Sequence, residues 1–245
     1  MSADVQKIAL YLNAAGFTAK DEKTSCILKG DNGSLIEQNF NGTDIIDEIF
    51  IAENVKADTS ALYINGPDQG MIIYVAQSNT LGCVQRTSKP GDEPEWTEVP
   101  IAGLNTVVIS PTSRIAGTID GLIVFFQHPD GSVKSIIYND ESKWEEGDTV
   151  PAAATAGTPL YTMELENALG VFYLSKDRKI YGQLQDNETG EWKEHVIKNS
   201  LFEESVSNFI LIWDGEQKAM NAYILAGTTL VHIDGSDGRK VLGVE

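Results

Sequence analysis

A short apolar strand, a tight turn and a second strand recur along this chain. The stretch Gly121–Trp144 shows the unit in full, with an apolar run over Leu122–Gln127, a turn, a second run over Val133–Asn139 and then a tryptophan. In the turn, Pro-Asp-Gly, proline fixes φ, aspartate caps its own backbone and glycine takes the positive φ. Two other stretches follow the same order, Gly170–Trp192 and Met71–Trp96. The pattern predicts short antiparallel strands.

The apolar strand before each turn returns at nearly regular intervals. Its centres, 46, 50, 48 and 52 residues apart in turn, lie near Leu28, Tyr74, Val124, Phe172 and Ile224. The tryptophans agree with this period, because Trp96, Trp144 and Trp192 are each 48 residues apart. A period in this range is typical of a propeller blade.

Four short β segments fit into each period. The sequence therefore predicts an all-β fold, a five-bladed β-propeller of four-stranded antiparallel blades. We expect one domain over residues 1–245, with blades at roughly 1–54, 55–103, 104–152, 153–203 and 204–245.

The first strand of two blades is less clearly marked than the others. For the first blade the pattern predicts a strand over Lys7–Asn13, although Lys7–Ala19 is also compatible with a short helix. For the third blade it predicts a strand over Thr106–Ser110. The sequence does not show how the two ends of the chain close the ring.

The net charge of the chain restricts the classes of molecule that it is expected to bind. With 36 Asp and Glu against 18 Lys and Arg, the net charge is −18, which disfavours nucleic acid and anionic membranes. The first residues lack the basic start and apolar run of a secretory signal, so we expect a cytoplasmic protein. Cys26 and Cys83 fall at strand positions in different repeats, and we expect them to be buried thiols rather than a disulfide.

The blade pattern resembles that of the fungal fucose-specific lectins. The third and fourth repeats carry the resemblance, with VFFQ and VKSIIYNDESKWEEG in one and VFYL and KIYGQLQDNETGEW in the other. The resemblance implies a sugar site between blades, where an arginine and a glutamate hydrogen-bond the sugar and an aromatic ring covers its apolar face.

The polar residues of that site are mostly replaced in this sequence. The positions that correspond to the arginine hold Cys26, Ile72, Ile123, Gly170 and Asn221. Those that correspond to the glutamate hold Glu37, Cys83, Ser135, Gly182 and His232. Among them only Glu37 matches, whereas the aromatic position survives in three repeats. We interpret these tryptophans as packing between blades in preference to sugar platforms. We expect neither five copies of one site nor fucose recognition in the manner of that family.

Other catalytic or metal-binding patterns are missing from the sequence. The three histidines, His128, His195 and His232, are too far apart in the chain to suggest a metal site, and there is no HExxH or CxxC pattern. We therefore expect neither a metal nor a cofactor.

Two functions of different class fit these observations. The first is a small-molecule-handling propeller, a cofactor-free biosynthetic enzyme that positions one apolar substrate in a single pocket. By analogy of fold, this hypothesis resembles fungal cyclases of secondary metabolism such as hetero-Diels–Alderases. The alternative is a non-catalytic binding propeller, such as a lectin with altered sugar specificity.

Both hypotheses use the same candidate ligand-binding residues. We expect aromatic walls and a few polar contacts, supplied by Trp96, Tyr138, Trp144, Trp192, Glu37, His232 and Gln127. The predicted partner is a small organic ligand or a glycan, and the sequence leaves a homodimer open.

Overall fold

The computed structural model of this chain describes residues 3–20, 23–30, 33–42, 44–57, 60–65, 70–87, 95–100, 103, 107–118, 123–138, 144–216, 219–236 and 238–244. It contains one helix, α1 (Ala3–Asn13), and twenty strands within those ranges. Among the described residues, no helix has the length and apolarity needed to cross a lipid bilayer.

Five four-stranded sheets account for all twenty strands. Blade 1 contains β1 (Gly16–Lys20), β2 (Lys23–Lys29), β3 (Leu35–Asn41) and β4 (Asp44–Ala52). Blade 2 contains β5 (Ala61–Asn65), β6 (Gly70–Val75), β7 (Leu81–Thr87) and β8 (Glu95–Glu98). Blade 3 contains β9 (Ile115–Gly117), β10 (Ile123–Gln127), β11 (Val133–Tyr138) and β12 (Trp144–Val150). Blade 4 contains β13 (Leu160–Leu165), β14 (Ala168–Leu174), β15 (Ile180–Asp186) and β16 (Trp192–Val196). Blade 5 contains β17 (Val206–Asp214), β18 (Ala219–Ala226), β19 (Thr229–Ile233) and β20 (Arg239–Val244).

Within each sheet, strands that follow one another in sequence are paired and antiparallel. The first strands of the blades lie side by side around the ring, β1 against β5, β5 against β9, β9 against β13 and β13 against β17. The predicted five-bladed propeller of four-stranded antiparallel blades is confirmed.

The hydrophobic core is divided among the interfaces between neighbouring blades. One cluster joins blades 1 and 2, and it includes Ile27, Leu35, Ile72 and Val84. Equivalent clusters join blades 2 and 3, blades 3 and 4, and blades 4 and 5. Each sheet is apolar on both faces, and only a neighbour on each side can remove both faces from water.

The ring closes through the N-terminal helix. α1 lies between blades 5 and 1, where its Tyr11 and Leu12 pack with Cys26 of blade 1 and Leu225 of blade 5. The Asn208 Nδ2 of blade 5 donates to the Leu12 carbonyl at 2.9 Å. The helix therefore supplies apolar surface to both blades that meet at this seam.

The structure corrects two strand predictions. Lys7–Asn13 belongs to α1, and the innermost strand of blade 1 is β1. The apolar side chains of this segment follow helical spacing and face the seam, which is why the helical alternative was the better interpretation. In the third blade, residues 107–110 are not a strand, Thr106 lies outside the described residues, and β9 takes the inner position. A strand of three residues is too short to show alternation.

The inner strands of blades 1 and 2 approach closely at a glycine. A Cβ on Gly16 would lie 2.2 Å from the Ala61 carbonyl oxygen. Next to this contact, the Ala61 amide donates to the Ala15 carbonyl at 2.8 Å. Glycine at this position allows the two inner strands to pack against each other.

The seam generates a prediction about stability. Replacing Leu12, of which 3% is exposed, with alanine leaves a cavity between α1 and blade 5. We expect the free energy of unfolding to fall by about 2–5 kcal/mol, as for other buried leucines. Urea unfolding followed by circular dichroism measures the change. Gln6→Ala, at an exposed position of the same helix, is the control, and an equal effect of both substitutions would contradict closure by α1.

Candidate functional site

A buried carboxylate lies at the interface of blades 1 and 2. Glu37 on β3 is 2% exposed. Its Oε1 accepts a hydrogen bond from the Tyr63 hydroxyl of β5 at 2.9 Å, and its Oε2 accepts one from the Trp96 Nε1 of β8 at 3.1 Å. Two donors from blade 2 therefore hold a side chain of blade 1, as a buried carboxylate requires.

Strand register places these three side chains together. Glu37 pairs with Ile27 on β2 and with Ile49 on β4, so it shares the face of blade 1 that packs against blade 2. Trp96 pairs with Arg86 on β7, and both side chains lie on the face of blade 2 that turns toward blade 1.

A cation lies beside the indole. The guanidinium carbon of Arg86 is 5.8 Å from the centroid of the Trp96 ring, within the range of a cation–π contact. Arg86 is half-buried, whereas 9% of Trp96 is exposed. The interface thus brings together a carboxylate, a phenol, an indole and a guanidinium.

The charges at this interface keep Tyr63 protonated. Burial raises the pKa of its phenol well above the usual range, and the negative charge of Glu37 and their hydrogen bond raise it further. The positive charge of Arg86 acts in the opposite direction. Tyr63 therefore donates to Glu37 at any physiological pH.

The corresponding position between blades 2 and 3 lacks the carboxylate. Trp144 is 5% exposed and packs in the same cluster as Cys83, which stands where Glu37 stands in blade 1. The Trp144 Nε1 is buried and has no hydrogen-bond partner among the described residues. Burial raises the pKa of the Cys83 thiol to about 12, so this side chain stays neutral. The Tyr138 ring packs on Trp144 with its centroid 5.1 Å away.

The remaining candidates lie apart from the Glu37 site. Trp192 is half-buried and packs against the cluster between blades 3 and 4. In blade 5 the His232 ring stacks on Tyr223 at 4.5 Å, and its Nε2 is 3.2 Å from the Asn221 Oδ1. Burial lowers the pKa of His232. The structure thus brings the predicted residues together in two pairs, Glu37 with Trp96 and Tyr138 with Trp144.

Gln127 connects two blades. Its side-chain amide donates to the Thr155 carbonyl at 3.1 Å and the Gly131 carbonyl at 3.3 Å, and its Oε1 accepts from the Gly157 amide at 2.9 Å. The bonds to Thr155 and Gly157 connect β10 of blade 3 to the loop that leads into blade 4. Both ends of the side-chain amide are thus engaged within the protein.

Sequence reasoning missed Tyr63 and Arg86. Arg86 was not considered because the arginine was sought on the second strand of blade 1, at Cys26. Cys26 pairs with Gln38, however, and so faces away from Glu37. A basic residue directly across the strand pair from a tryptophan is the signal that would have found Arg86.

Metal ligands do not cluster in the part of the chain that the structure describes. No group of three His, Cys, Asp or Glu side chains among those residues is arranged to hold a metal ion.

The two equivalent tryptophans generate a matched prediction. Trp96→Phe removes a donor from buried Glu37, whereas Trp144→Phe removes an N–H group that has no described partner. We expect Trp96→Phe to lower the free energy of unfolding by about 1–3 kcal/mol more than Trp144→Phe. Denaturant unfolding of both variants measures the difference, and equal losses would show that the bond to Glu37 contributes nothing.

Comparison with known proteins identifies the fold. No family model matches the sequence, and no curated protein matches it. Many solved structures are similar over nearly the whole chain, among them these three. AofleA from Arthrobotrys oligospora has a TM-score of 0.66 at 15% identity, over 97% of this chain and 71% of AofleA. The fucose-specific lectin from Aleuria aurantia has a TM-score of 0.67 at 15% identity, over 94% of this chain and 76% of the lectin. Another structure of the Aleuria aurantia lectin, described as a six-bladed β-propeller, has a TM-score of 0.57 at 15% identity, over 91% of this chain and 73% of the lectin. The resemblance to the fungal fucose-specific lectins is confirmed at the level of the fold, with five blades here against six.

Proposed function

We propose that this chain is a carbohydrate-binding protein with one site, between blades 1 and 2. The observation that carries the proposal is the meeting of Arg86, Glu37 and Trp96 at that interface. These are the three residue types that the resemblance to fucose-specific lectins implies for a sugar site between blades. The similar folds include a fucose-specific lectin, so a fucoside is the first sugar to test.

Each of the three residues has a distinct role in this proposal. Arg86 is half-buried, and in this proposal its guanidinium donates charge-assisted hydrogen bonds to sugar hydroxyls. In this proposal the apolar face of the sugar packs on the Trp96 ring. Glu37 is a positioning residue, because it accepts from the Trp96 Nε1 and fixes the plane of the ring.

The other interfaces support a single site. Cys83, Ser135, Gly182 and His232 stand at the positions that correspond to Glu37, and none of them is a carboxylate that accepts from a ring N–H group or from a sugar hydroxyl. A chain with one site binds without the avidity that repeated sites provide. The cyclase hypothesis gains no support from the comparisons and stays a prediction.

The proposal is tested by a glycan array followed by titration calorimetry with methyl fucoside. We expect one site per chain, and Arg86→Gln should weaken binding by about tenfold or more, because a hydrogen bond from a charged group contributes about 1.5–3 kcal/mol. Gln185→Ala is the matched control, since Gln185 pairs with Trp192 in blade 4 as Arg86 pairs with Trp96 in blade 2.

Three results would contradict this proposal. They are the absence of glycan binding by the folded wild-type protein, unchanged affinity in Arg86→Gln, and several equivalent sugar sites on one chain.

A further inference from the structure

A cavity of about 350 Å³ lies on the axis of the ring, away from the interface of Glu37 and Trp96. The inner strands of all five blades and the C-terminal end of α1 surround it. Its lining includes six large or apolar side chains, those of Tyr11, Phe17, Leu62, Ala116, Tyr161 and Phe209. This volume falls in the range of pockets that bind small molecules.

Several polar side chains in the wall are already bonded to the backbone. The Tyr161 hydroxyl donates to the Leu211 carbonyl at 3.0 Å, and the Thr162 hydroxyl donates to the Gly117 carbonyl at 2.6 Å. The Ser60 hydroxyl donates to the Ile115 carbonyl at 2.8 Å. These groups are engaged within the protein, so the cavity offers a guest mainly apolar contact.

The wall is not symmetric about the axis. Near the seam it is aromatic, because the Tyr11 and Phe17 rings stack with centroids 4.2 Å apart. On the side of blade 3 it is formed by Arg114, Ile115, Ala116 and Gly117, none of which is aromatic. An asymmetric wall favours one orientation of one guest, which a ring of five identical blades would not do.

The charge in the wall is positive. Among the described residues that line the cavity, Arg114 is the only one with a charged side chain. Arg114 is half-buried, and a positive charge partly removed from water is screened less than one in bulk water, so Arg114 favours an anionic group on the guest.

We propose that the axial cavity binds one small apolar molecule that carries a single anionic group, such as an aromatic or aliphatic carboxylate. The apolar part lies against the aromatic side of the wall, and the anionic group lies beside Arg114. This site is distinct from the proposed sugar site, because Arg86, Glu37 and Trp96 do not line the cavity; Tyr63, whose hydroxyl donates to Glu37, is the one described residue that contacts both.

A matched pair of fluorescent probes tests the proposal. Anilinonaphthalene sulfonate is an apolar aromatic anion, and phenylnaphthylamine is the same ring system without the sulfonate. We expect one anionic probe per folded chain, bound about tenfold more tightly than the neutral probe. Arg114→Gln should abolish this preference while the neutral probe still binds. Lys193→Gln, at an exposed position of blade 4, also removes one positive charge, and it should leave the affinities of both probes unchanged.

A second variant locates the probe. Thr18 lines the cavity and is half-buried, so Thr18→Trp should fill the space and remove binding of both probes. Decanoate should displace the anionic probe at about tenfold lower concentration than decanol, which tests the anionic group without any variant. Methyl fucoside should displace neither probe, which separates this site from the sugar site. Several probes per chain, binding that survives Thr18→Trp in a folded protein, equal displacement by decanoate and decanol, or a preference that survives Arg114→Gln would overturn the proposal.

Discussion

The structure depends on closing a ring of sheets that are apolar on both faces. A blade in isolation would leave both of its apolar faces in water, and a neighbour on each side covers them. Four of the interfaces join one blade to another, but the fifth is completed by α1, whose Leu12 is held between Cys26 and Leu225. Because the closing element is a helix, blades 5 and 1 share a third partner at this seam.

Of the two buried tryptophans at equivalent interfaces, only Trp96 has a carboxylate partner among the described residues. Trp96 and Trp144 occupy the same place in successive blades, yet only Trp96 finds a carboxylate, since Glu37 is replaced by Cys83 at the next interface. As a consequence, the buried N–H group of Trp144 has no hydrogen-bond acceptor among the described residues. Repetition of the tryptophan thus reflects packing, and the partner on the preceding blade decides whether a polar site forms.

Much of the fold was predictable because blade architecture repeats, whereas the site depends on pairs of residues distant in sequence. The spacing of Trp96, Trp144 and Trp192 predicted the blades and one member of the site. The sequence analysis missed Arg86 because this residue lies opposite Trp96 on the neighbouring strand. The intervening hairpin differs in length between blades, with the partners ten residues apart here and six apart for Tyr138 and Trp144. Strand alternation also placed Cys26 on the opposite face from Glu37, which a comparison of sequence positions does not reveal.

The seam and the axial cavity are physically coupled through α1. Tyr11 packs in the cluster that closes the ring, stacks on Phe17 and lines the cavity. A guest that contacts Tyr11 binds the closed ring and not a chain whose helix has detached, so its binding free energy adds to the stability of closure. The reverse also holds, because any change that loosens α1 removes part of the cavity wall. If the axial cavity binds a guest as proposed, α1 links closure of the ring to occupancy of the cavity, while the interface at Glu37 meets the cavity wall through Tyr63.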